Sequence, residues 1–84
     1  MRAYYITFRS VTLAQRGERI LRRGGLDCAL QRTPRLMEER GCGYCLRLRP
    51  RDGIQAVELL RRDNATFSRV YALRDDGGME ELTL

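Results

Sequence analysis

The chain has no histidine and no lysine, so its three cysteines are the side chains with ready nucleophilic or soft-ligand chemistry near neutral pH. Two of them stand in the run Gly41-Cys42-Gly43-Tyr44-Cys45, a short way after Thr33-Pro34-Arg35. If the protein does chemistry, Cys42 or Cys45 carries it; otherwise the same segment is a glycine-punctuated turn leading into a strand. Gly41 and Gly43 strip steric cover from Cys42 and let backbone N–H groups approach its sulfur. Pro34, Arg35 and Arg40 complete the expected thiol environment, in which the two arginines favour the thiolate by charge.

The C-x-x-C spacing of Cys42 and Cys45 admits a redox pair but does not require one. In redox sites of this spacing the first cysteine usually opens a helix, whereas Cys45 here falls in a strand. Two residues three apart in extended chain are about 10 Å apart at a rise of ~3.3 Å per residue. A disulfide tolerates only about 4.4–6.8 Å between Cα atoms. A bridge would therefore need Cys42 in a turn outside the strand. One C-x-x-C with no second pair and no histidine is a weak zinc signal, and neither metal nor cofactor is expected. Cys28 alternates with Leu26 and Leu30 and reads as a buried packing residue.

The elements that must hold these thiols follow from periodicity. Tyr4, Ile6 and Phe8 alternate with Tyr5, Thr7 and Arg9, a half-buried strand. Ser10 or Thr12 caps the following helix, Thr12 with Gln15 fitting a capping box. Leu13, Ala14, Gly17, Ile20 and Leu21 form its apolar stripe. Gly17 costs helix propensity but allows close approach to a sheet, and Gly24-Gly25 ends the helix. Leu26 to Arg32 is a second strand, closed off by Pro34, and Arg35 to Arg40 is a loop or a single helical turn. The third strand reaches about Arg49, with Tyr44, Leu46 and Leu48 on the face opposite Cys45 and Arg47. Asp52 with Gln55 fits a second capping box, before a stripe of Gly53, Ala56, Val57 and Leu60, with Asn64 as left-handed C-cap. Phe67 to Leu73 is a fourth strand, and Asp75-Asp76-Gly77-Gly78 is a turn signal.

The order βαββαβ predicts an α+β, ferredoxin-like domain over residues 1–73. It is a four-stranded antiparallel sheet with both helices on one face and strands 1 and 3 in the centre. Residues 74–84 form a tail, either frayed or a short extra edge strand. The face away from the helices is expected to be open, carrying Tyr5, Thr7, Cys45 and Arg47, and to be solvated or to form a homodimer interface.

Composition narrows the function classes. The chain is 43% hydrophobic and 32% charged, as a globular domain would be. No apolar run approaches the ~18 residues of a membrane span. The start Met1-Arg2-Ala3-Tyr4-Tyr5 lacks a signal-peptide pattern, and an odd cysteine count argues against a complete disulfide framework. A reducing, cytoplasmic location is expected. All basic residues are arginine, which reads as codon bias, and the net charge of +5 permits an anionic partner. Arg22-Arg23 and Arg61-Arg62 read as solubility charges. RNA binding is a third and less favoured reading: Tyr5 is the one aromatic suitably placed, and the Gly-Phe-rich signature of the RNA-recognition module is missing.

The residues Tyr5-Ile6-Thr7-Phe8, Gly24-Gly25-Leu26, Thr33-Pro34-Arg35, Cys42-Gly43 and Leu46-Arg47-Leu48 together resemble a family. So do Val57-Glu58-Leu59-Leu60 and Val70-Tyr71-Ala72-Leu73. It is the small selenium/sulfur carrier protein-like family, a domain of unknown function. The resemblance spans roughly Ala3 to Leu73, and its specific part is the Pro-Arg followed by Cys-Gly. Two features depart from it: Cys45 stands where an aliphatic or small residue is usual, and the tail is extra. The resemblance implies a non-enzymatic carrier that holds sulfur or selenium on Cys42 as a persulfide or selenopersulfide, with Cys45 as a possible second thiol. It implies a cysteine desulfurase or a selenium-handling enzyme as donor and a further protein as acceptor. The alternative is a ligand-binding or protein-interaction module without chemistry.

Overall fold

The computed structural model describes residues 1–34 and 43–83 of the chain. Strand β1 (Ala3–Phe8) is followed by α1 (Val11–Arg23), β2 (Cys28–Arg32), β3 (Tyr44–Leu48), α2 (Gly53–Arg62), β4 (Val70–Leu73) and β5 (Met79–Leu82). The expected βαββαβ succession is present, but the sheet has five strands where four were expected. Its order is β2-β3-β1-β4-β5, every neighbouring pair antiparallel. The fifth strand comes from the tail. Gly77, at φ 90°, makes the turn after β4, and Asp76 accepts the Gly78 N–H at 2.8 Å. That turn returns the chain so that Met79 pairs with Leu73 and Leu82 with Val70.

Helix α1 starts at Ser10, whose hydroxyl accepts the Leu13 N–H at 3.1 Å, so the alternative cap at Thr12 is not used. It ends in a Schellman motif. The Leu26 N–H reaches the Leu21 carbonyl, the Gly25 N–H reaches that of Arg22, and Gly25 takes φ 86°. Helix α2 ends the same way, with Asn64 at φ 54° and the Ala65 N–H on the Leu60 carbonyl. Its start differs from expectation. Asp52 holds the N-cap position without capping, because its carboxylate takes the Arg49 guanidinium at 3.2 Å. A 3-10 turn over Pro50–Asp52 leads into the helix instead.

The strand alternation has the expected sense. Tyr4, Ile6, Phe8, Cys28, Leu46 and Leu48 form one buried cluster with Ala14 and Leu21 of α1 and Ala56, Val57 and Leu60 of α2, so both helices cover the same face. Gly17 sets how closely α1 can lie. A Cβ there would stand 2.8 Å from Phe8 Cζ. Gly53 does the same for α2, since a Cβ would fall within the Tyr4 ring.

The far face is closed rather than open. Ala3, Tyr5, Cys45 and Tyr71 are buried there in a second cluster, with Leu73 and Met79 packed against it. The tail strand helps, because it brings Met79 alongside Leu73. The Arg47 guanidinium lies 5.8 Å from the centre of the Tyr5 ring and covers it. Thr7 is satisfied on this face: its hydroxyl accepts the Arg69 N–H at 3.1 Å. The regular β1–β4 ladder accordingly starts at Val70 rather than at Phe67.

Candidate functional site

The expected site divides at the edge of the described residues. Cys42, Arg35, Arg40 and Gly41 lie outside them. Pro34 and Gly43 lie inside, where the chain leaves β2 and enters β3. The Thr33 N–H donates to the Gly43 carbonyl, so the last backbone hydrogen bond between the two strands joins the residues next to Pro34 and Tyr44. Arg32 lies over the Tyr44 ring at 5.6 Å beside it.

Cys45 is the second residue of β3, opposite Thr7 on β1 and Gln31 on β2. It is 0% exposed, and its Sγ–H donates weakly to the Arg32 carbonyl at 3.9 Å. Burial pushes its thiol up to about 11, because the thiolate would lose its hydration; the Thr33 hydroxyl acts weakly the other way. That hydroxyl is itself buried and makes no hydrogen bond of ordinary geometry among the described residues. Thr33 is the residue sequence reasoning passed over. Its signal in the sequence is its place beside Pro34 in Thr33-Pro34-Arg35, where the proline and the arginine carry the more obvious chemistry.

Cys28 is buried on the opposite face, in the helix-covered cluster. Its thiol is also raised, chiefly by desolvation; Arg22 opposes this by charge, while Glu18 and Asp27 add to it. Cys28 and Cys45 therefore lie on opposite faces of the sheet, too far round the strands to bridge. At neutral pH both are protonated thiols. Among the described residues there is no grouping of three or more cysteine, aspartate or glutamate side chains able to hold a metal, and no helix long and apolar enough to cross a membrane.

The class this defines is a small α+β domain with two protonated structural thiols and a third cysteine at the β2–β3 connection. The chain belongs to the family described as putative Se/S carrier protein-like, whose model matches residues 3–72 and thus spans β1 through most of β4. No curated protein and no solved structure matches it.

Proposed function

We propose that the protein is a sulfur or selenium carrier in which Cys42 holds the cargo as a persulfide or selenopersulfide. The observation that carries this reading is the family match over residues 3–72. The chemistry of the other two thiols supports the choice of residue. Cys28 and Cys45 are buried and shifted away from ionisation, and the thiolate is the form that attacks. That leaves Cys42, between two glycines and near Arg35 and Arg40 in sequence, as the carrier thiol.

In loading, the Cys42 thiolate attacks the outer sulfur of a donor persulfide. The donor S–S bond breaks, a Cys42 S–S bond forms, and the donor leaves as a thiolate, with no net oxidation. A selenopersulfide donor passes its outer selenium in the same way. Unloading repeats the step with an acceptor nucleophile. The donor is a cysteine desulfurase or a selenium-handling enzyme, the acceptor a further protein, and the carrier alone turns nothing over. Reduced thiols suit the cytoplasm. The fold underneath is a ferredoxin-like βαββαβ unit widened by β5.

The test is intact-mass spectrometry after incubation with a persulfidated cysteine desulfurase. Wild type is expected to gain one sulfur and Cys42→Ala none, while Cys28→Ala and Cys45→Ala load normally. A gain that persists in Cys42→Ala, or a Cys42 that resists alkylation in the folded protein, overturns the assignment.

A further inference from the structure

We propose that the end of the sheet where β1 begins and β3 ends is a binding site for a small organic molecule bearing a phosphate- or sulfate-type oxyanion. A cleft of about 430 Å³ opens there. Four arginines line it, Arg2, Arg22, Arg47 and Arg49, against one acidic residue, Asp27. They come from four parts of the chain: the residue before β1, the last turn of α1, β3, and the residue after β3. Only folding assembles them.

Like charges brought together on folding are a cost unless something neutralises them. Two of the four are partly neutralised and held in place. Arg22 donates to the Cys28 carbonyl at 2.6 Å and lies 3.4 Å from Glu18. Arg49 lies 3.2 Å from Asp52 and 3.6 Å from Asp27. Arg2 and Arg47 have no carboxylate partner within ion-pair reach among the described residues. The Arg47 guanidinium has one face over the Tyr5 ring, which leaves its in-plane N–H groups to donate, and guanidinium matches a tetrahedral oxyanion by paired N–H bonds.

The size and wall of the cleft extend the argument beyond a bare ion. Its volume falls within the roughly 300–1,000 Å³ of small-molecule sites. Ala29 is the exposed apolar residue of its lining, above nearly covered Ala3, Cys28 and Leu48, and this low-polarity backing strengthens the field of the arginines. Asp27 guards the rim. Its side chain is 81% exposed, so it can turn to water when an anion enters.

The site is separate from the carrier reading and stands without it. β3 runs from Tyr44, next to Gly43, to Leu48. At ~3.3 Å per residue this puts the cleft about 13 Å along the strand from Tyr44.

Isothermal titration with phenyl phosphate, with phenol as its uncharged counterpart, tests the site on the full chain. A short single-stranded RNA serves as a third titrant, since a nucleic-acid backbone offers the same anion. Phenyl phosphate is expected to bind with one-to-one stoichiometry and phenol not at all. Arg47→Gln and Arg2→Gln are each expected to weaken phenyl phosphate about tenfold; Arg2 is exposed and belongs to neither buried cluster, so Arg2→Gln keeps the fold and tests the site independently of the cover Arg47 gives Tyr5. Arg19→Gln on α1, outside the cleft, is expected to bind as wild type. No binding of phenyl phosphate overturns the proposal. So does equal weakening by Arg19→Gln, which would mark diffuse charge attraction. Tight RNA binding lost equally in all three variants would also overturn it, in favour of a nucleic-acid surface.

Discussion

On the helix-covered face, Ile6, Phe8, Leu46 and Leu48 lie beneath α1 and α2; on the far face, Ala3, Tyr5, Cys45 and Tyr71 reach comparable burial in a cluster that neither helix joins. The first face is closed by a second layer of secondary structure, the usual way a sheet hides its apolar side. The second is closed by its own side chains. Tyr5 and Tyr71 stand opposite each other on β1 and β4, an arginine covers the first, and Leu73 and Met79 close in from β4 and β5. The adjacent residues Cys45 and Leu46 show the contrast at one point: both are fully buried, on opposite faces, by different neighbours. Burial by a packed layer involves large aliphatic and aromatic volumes. Burial by side-chain cover can hide a small group such as a thiol with little volume at stake.

That difference sets the order of expected losses. Phe8→Ala removes a fully buried ring from under α1 and is expected to cost about 3–5 kcal/mol in urea denaturation. Cys45→Ala removes a single buried sulfur and is expected to cost about 1 kcal/mol. A Cys45→Ala loss as large as that of Phe8→Ala would break the comparison and make the far face an equal part of the core. Between the two stands Gly17→Ala. Its new methyl would meet Phe8 Cζ at 2.8 Å. Overpacking of this kind costs about 1–3 kcal/mol, and the better helix propensity of alanine returns up to about 1 kcal/mol. A net loss is expected, and it should vanish in the Phe8→Leu background, where the ring is gone. A loss that persists there would locate the strain elsewhere.

Much of the helix-covered face was legible because it obeys local rules. Alternation from Tyr4 to Phe8 and from Tyr44 to Leu48, the glycine in the α1 stripe and the left-handed residues Gly25 and Asn64 are each set by a few neighbouring positions. The far face was not legible, because Tyr5 and Thr7 read equally well as a solvated row. Their burial depends on Arg47, Tyr71 and Met79, which come from three other strands. The failed capping box at Asp52 has a local cause. Arg49 stands three residues back and takes the carboxylate that would have capped, and box matching weighs only the cap and its partner. The arginine cleft was hidden for the same reason as the far face: Arg22 reads as a solubility charge and Arg49 as the end of a strand until the chain ends of three strands and a helix meet. Of the expected site, Cys45, Pro34 and Gly43 fall among the described residues, and the closing of the far face over Cys45 gave no signal in its own neighbourhood.

The smallest expected effect tests that closure directly, through pH. In the unfolded chain the Cys45 thiol ionises near its ordinary value of 9.0, and in the fold it keeps its proton up to about 11. Below 9 both states hold the proton, and the group contributes no slope. Between about 9 and 11 the folded state binds a proton that the unfolded state has released, so stability falls as pH rises. Groups other than Cys45 contribute alike to wild type and to Cys45→Ala. The difference between the two stability profiles therefore isolates Cys45: wild type should lose stability more steeply than Cys45→Ala across this window and run parallel to it at neutral pH. Parallel profiles throughout would mean that the thiol ionises in the fold as freely as in the unfolded chain. Water would then reach Cys45, the far face would be open after all, and a second nucleophile would stand on β3 close to Cys42 in sequence.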